Sequence, residues 1–104
     1  MEIVYASLVL RRPDECATQH TAAEAVDALW AHALPEAGLQ HVSARCEPGR
    51  IDFLLYLMSP AVLGAPTAEH RAHTLISHGQ RTSPLLNLRF LPPQPLPATA
   101  HLTG

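Results

Sequence analysis

The sequence contains no lysine; its seven basic residues are arginines, at positions 11, 12, 45, 50, 71, 81 and 89. Without a side-chain amine there is no Schiff-base chemistry, so lysine-based covalent mechanisms are excluded. Aromatic residues make up only 5% and the formal net charge is -2. Neither a basic stripe for a phosphate backbone nor a set of stacking platforms is available, and nucleic acid is set aside as a partner. The two cysteines, Cys16 and Cys46, form no C-x-x-C pair. They are read as unreactive, partly buried thiols. No run approaches the roughly 20 apolar residues that span a bilayer. The first apolar run, Ile3 to Leu10, follows Glu2 and precedes Arg11 and Arg12. That charge order is the reverse of a secretory signal, and the expectation is a cytoplasmic protein with no membrane partner. Nucleophile-elbow, zinc-protease, Walker and dinucleotide motifs are all missing.

What is present is a globular composition. The chain has 104 residues, 47% of them hydrophobic and 15% charged. That suits one domain with its own core. Abundant alanine, leucine and proline beside the arginine-only basic set suggest a GC-rich bacterial genome.

Punctuation divides the chain. Residues 2–11 are rich in Ile, Val, Tyr and Leu up to Pro13, and read as a strand. Thr21 and Glu24 have capping-box spacing ahead of a helix whose stripe is Val26, Leu29, Trp30 and Ala33, ended by Pro35 and Gly38. Leu39 to Cys46 is a second strand and Ile51 to Met58 a third, joined by the turn Glu47-Pro48-Gly49-Arg50. After a linker at 59–66, Thr67 caps a second helix that Gly79 should stop near His78. Leu85 to Leu91 reads as a last strand, and residues 92–104 as a proline-rich tail, extended or disordered.

This order predicts an α+β, ferredoxin-like βαββαβ sandwich over residues 1–91. Its four-stranded antiparallel sheet has the first and third strands central and two helices on one face. At the level of element order it resembles the dimeric α+β barrel group of small proteins. That group includes cofactor-free monooxygenases, small-molecule-binding regulatory domains and haem-degrading enzymes. The resemblance implies a dimer and assigns no residue a role.

The central strands are apolar on both faces. In the first, Ile3, Tyr5 and Val9 oppose Val4, Ala6, Leu8 and Leu10. In the third, Ile51, Phe53, Leu55 and Leu57 oppose Asp52, Leu54, Tyr56 and Met58. A chain this short covers one face, so a second copy should cover the other. Val4, Leu8, Leu54 and Tyr56 are the expected dimer contacts.

Topology then suggests an anion site. Arg11, Arg12, Arg45 and Arg50 should gather at one end of the sheet, with His20 and Thr21 at the mouth of the first helix. A carboxylate, a phosphate or an acidic peptide would suit it; the alternative is solvated arginines neutralised by Asp14, Glu15 and Glu47. His70 and His73 share a helix face but lack a third ligand, so no metal and no cofactor are expected. Asp52 is either a buried base or the partner of Arg50 or Arg45. Trp30 and Tyr56 are read as core. Two functions fit: a non-catalytic homodimeric module binding a partner protein, peptide or small anion, or a cofactor-independent tailoring enzyme of a bacterial peptide or polyketide natural product, using acid/base groups in a dimer cleft.

Overall fold

The computed structural model describes residues 1–12, 19–59 and 64–94. Cys16, the loop acids Asp14 and Glu15, the middle of the 59–66 linker and the tail from residue 95 lie outside the described residues. The elements run β1 (Glu2–Val9), α1 (Gln19–Ala31), a 3₁₀ turn (Pro35–Ala37), β2 (Leu39–Glu47), β3 (Arg50–Leu57), α2 (Ala68–Thr82) and α3 (Pro84–Arg89). The class is α+β, with three strands and three helices among the described residues.

Both antiparallel pairings expected of the first three strands form, in the order β1-β3-β2. The turn after β2 closes because Gly49 takes a φ of 75°, which costs a residue without a Cβ nothing. A register shift at Gln40 lets β2 pair onward from His41–Tyr56.

The fourth strand is not found, and this overturns the ferredoxin-like βαββαβ order and the barrel-like dimer built on it. The segment read as a strand, Leu85 to Leu91, begins as the helix α3. Ser83 caps it, its Oγ accepting from Leu86 N at 3.3 Å, and Pro84 sits at the first helical position. Ser followed by Pro is a helix start, and it prevailed over the apolar run behind it. Only Phe90 returns to the sheet, in a single bridge to Leu10. β3 is therefore central and β1 is an edge strand, not an inner one.

Three smaller expectations also fail. Thr21 lies inside α1 and is buried, because the helix starts at Gln19; it is not the residue at the helix start. The α1 core stripe is Ala22, Ala25 and Leu29, while Trp30 is 42% exposed and not core. Gly79 does not stop α2, which continues to Thr82. A Cβ at residue 79 would lie 3.0 Å from Leu29 Cδ1, so the glycine lets α1 and α2 approach. Thr67 does cap α2 as expected, accepting from His70 N at 3.1 Å.

One face of the sheet is packed. Val4 and Leu8 of β1, Leu10 just after it, and Ile51, Phe53, Leu55 and Leu57 of β3 meet Leu29, Leu75, Ile76, Leu86 and Phe90 in one cluster. Arg71, on α2, is buried with them. Its guanidinium donates to Ala37 O and Met58 O at 3.0 Å, to Pro66 O at 3.2 Å and to Glu2 Oε2 at 2.8 Å. No helix of the described residues is long and apolar enough to cross a membrane.

Two stability predictions follow from this packing. Gly79→Val should destabilise by about 1–3 kcal/mol in chemical denaturation, since the added branch meets a fully buried leucine. Arg71→Met should cost roughly 1–3 kcal/mol for each carbonyl it leaves dry, whereas Glu2→Gln, on a half-exposed partner, should cost far less.

Candidate functional site

The uncovered face of the sheet is where the chain has chemistry to offer. Odd residues of β1, odd residues of β2 from His41 onward and even residues of β3 point there, and the registers set them in rows: Ile3–Tyr56–His41, Tyr5–Leu54–Ser43, Ser7–Asp52–Arg45 and Val9–Arg50–Glu47. Two rows are largely apolar and two largely polar.

In the apolar half, Ile3 is 57% and Tyr5 79% exposed, while Leu54 and Tyr56 on the central strand are half-buried. The His41 ring meets Tyr56 edge-on, with centroids 5.4 Å apart. In the polar half, Asp52 takes three hydrogen bonds. Arg50 donates Nε at 2.8 Å and its second nitrogen at 3.3 Å, and Ser7 Oγ donates at 2.7 Å. Arg50 holds the Asp52 carboxyl below the usual carboxylate range; partial burial opposes this and Ser7 assists it. The same hydrogen bond raises Arg50. Of the two sequence readings of Asp52, the structure has the paired one. A carboxylate held ionised in this way is a weak proton acceptor near neutrality. Between the halves lies an open recess of about 290 Å³, bordered by Tyr5, Ser43, Arg45, Asp52 and Leu54.

The sequence-predicted site residues fall as follows. Val4 and Leu8 are 9% and 1% exposed and pack under the helices, so they are core and not dimer contacts. They pair with Leu55 and Ile51, and alternation sends them away from Leu54 and Tyr56, which do lie on the open face. Residues of one interface must share a parity, and the expected set mixed two. Ile3 and Tyr5 belong with Leu54 and Tyr56.

The anion-site arginines turn to different partners. Leu10 N donates to Gly49 O at 2.9 Å, which puts the end of β1 beside the turn as expected. Arg11, however, donates Nε to Asn87 O at 2.8 Å, behind the sheet edge. Arg50 is taken by Asp52, and exposed Arg45 lies 4.0 Å from Glu47. Arg12 is exposed. His20 is exposed and 3.8 Å from Glu24, and Thr21 is buried in α1. His73 Nε2 lies 2.9 Å from Gln94 O, and His70 is exposed. No group of three or more metal-ligating side chains occurs among the described residues.

Arg71 was not singled out by the sequence reading, yet it is the most deeply engaged of the described arginines. The signal was its spacing: Ala68, Arg71, Ala72, Leu75 and Ile76 form one helical stripe. A search of protein-family profiles, curated proteins and solved structures finds no match to the chain.

Linkage gives a test of the polar half. A carboxyl lowered on folding adds stability above its unfolded pKa, and that stability is lost as pH falls through the folded value. Asp52→Asn should lower the melting temperature by at most a few degrees at neutral pH. The gap should close in melts taken at pH values below the ordinary carboxylate range.

Proposed function

We propose that the chain works as a small homodimeric module that binds a partner protein or peptide in the cytoplasm, without catalysis. The observation that carries the reading is the apolar half of the open sheet face. Ile3 and Tyr5 stand exposed beside Leu54 and Tyr56 on the side of the sheet that the helices do not cover. Burying each fully is worth about 1.5–3 kcal/mol, and a two-fold axis counts every contact twice. Two such faces can stack with their apolar halves together, as sheets do in sandwiches.

The charge arrangement favours a protein surface over a small anion. Arg45 and Arg50 are matched on the same face by Glu47 and Asp52, so an anion meets no excess of positive charge. Opposite charges in two rows also suit a symmetric partner, because each can meet its complement across the axis.

The test is particle mass by sedimentation or light scattering at micromolar concentration. The wild type should run at twice 11.3 kDa. Tyr5→Arg should run at the single-chain mass with its helical signal intact, because a residue 79% exposed does not hold the fold. A wild type that is monomeric throughout this range overturns the homodimer.

A further inference from the structure

The sheet has two edges, and they differ. The outer edge of β2 is broken by the register shift at Gln40 and flanked by the charges of Arg45 and Glu47, two usual guards against strand addition. Between Ile3 and Val9, β1 carries no charged residue and no proline.

The backbone of β1 divides cleanly. Even residues turn their N–H and C=O groups to β3: Leu10 donates to Gly49 O, and the pairs Leu8–Ile51, Ala6–Phe53 and Val4–Leu55 continue that register. Odd residues turn theirs outward. At one end the returning chain meets them. Leu91 N donates to Val9 O at 2.8 Å and Arg11 N to Arg89 O at 2.9 Å, antiparallel about the Leu10–Phe90 bridge. The next donor in this ladder would be residue 93, opposite Ser7. It is Pro93, which has no N–H. Pairing stops there, and Gln94 O instead meets His73 on α2. Among the described residues, no strand pairs with the outward groups of Ile3, Tyr5 and Ser7.

Beside this edge runs a groove of about 340 Å³, between β1 and α2. Its apolar floor is Ala72 and Ile76, and Pro92 to Gln94 wall one side. Glu69 is the one carboxylate in its lining. We propose that an extended, alternately apolar peptide from another protein, carrying a basic residue opposite Glu69, binds here as a fourth strand. Its backbone would pair with Ile3, Tyr5 and Ser7, and every second side chain would enter the groove. This rests on the reading of the chain as a binding module and names the class of its partner.

The geometry disfavours the other occupants. α2 packs on β1. Two copies joined edge to edge would bring their β1 strands to about 4.8 Å and crowd helices that need about 8–10 Å. The chain's own residues beyond Gln94 contain no arginine or lysine to meet Glu69; their one basic side chain is the His101 imidazole, which lacks the fixed charge of a guanidinium or ammonium. A face-to-face dimer leaves the edge open.

Amide exchange on the full-length protein, followed by NMR, tests the proposal. In the free protein the amides of Ile3, Tyr5 and Ser7 should exchange fast and those of Val4, Ala6 and Leu8 slowly. Slow exchange of the first set in the free protein means the tail or a second copy already fills the edge, and overturns the proposal. A blocked peptide alternating valine with threonine and containing one lysine is then added at millimolar concentration. It should slow the three outward amides about tenfold or more. Glu69→Lys should weaken this binding about tenfold. Tyr5→Pro, which removes the central outward donor and leaves the β1–β3 ladder whole, should abolish it. Absence of protection, or binding unchanged in Glu69→Lys, overturns the proposal. Particle mass on the same samples separates the two readings. A dimer that ignores the peptide removes the strand slot alone, and a monomer that takes it removes the homodimer alone.

Discussion

The buried guanidinium of Arg71 is the constraint on which the arrangement of layers depends. Its donors reach backbone carbonyls in three separate places, namely the 3₁₀ turn at Ala37, the end of β3 at Met58 and the approach to α2 at Pro66, together with the Glu2 carboxylate at the start of β1. Among the described residues no backbone N–H donates to these three carbonyls, and a dry carbonyl costs as much as the bond it lacks. One planar cation therefore closes the sheet, the turn and α2 together. Arginine suits this role better than lysine would, because its donors are fixed in a plane and point to several acceptors at once. Through Arg71, α2 is held over β1, and the groove beside β1 takes its width from that position.

The second constraint is a missing donor. A fold with three antiparallel strands and helices on one face ordinarily has room for a fourth strand next to β1, and the chain starts to provide one with Phe90 and Leu91. Pro93 ends it after two hydrogen bonds. The phenylalanine is still fully buried, so the core gains its side chain while the sheet does not gain its ladder. Core packing and sheet completion are separable, and here only the first is satisfied by the described residues.

Much of the framework was legible in the sequence, and the failures have identifiable causes. Three strands, their antiparallel order, the turn at Pro48-Gly49 and the Thr67 cap follow from alternation and turn chemistry, which are local. Leu85 to Leu91 is not a strand because a short apolar run fits a helix as well as a strand, and Ser83-Pro84 ahead of it is a helix start. Gly79 was read as a helix stop when its role is tertiary, a close approach to Leu29 that no local pattern reveals. The open face was legible as a surplus of apolar residues. Its membership was not, because parity across the β1–β3 pair depends on the register: Val4 and Leu8 lie opposite Leu55 and Ile51, on the other face from Leu54 and Tyr56. The arginine cluster was inferred from topology alone, which brings chain segments together but does not say where long side chains turn. Asn87 O and Asp52 decided that.

The open face and the open edge of β1 share one strand but expose different parts of it. The face presents the side chains of Ile3 and Tyr5, whose recognition depends on shape and apolar area. The edge presents their N–H and C=O groups, whose recognition depends on direction and is largely indifferent to side chain. Alternation in a strand makes these two surfaces perpendicular, so occupying one does not obstruct the other. A symmetric dimer would carry two such edges at opposite sides of one rigid unit. That is an arrangement suited to gripping two segments at a set spacing, with affinity gained from their linkage more than from either slot alone.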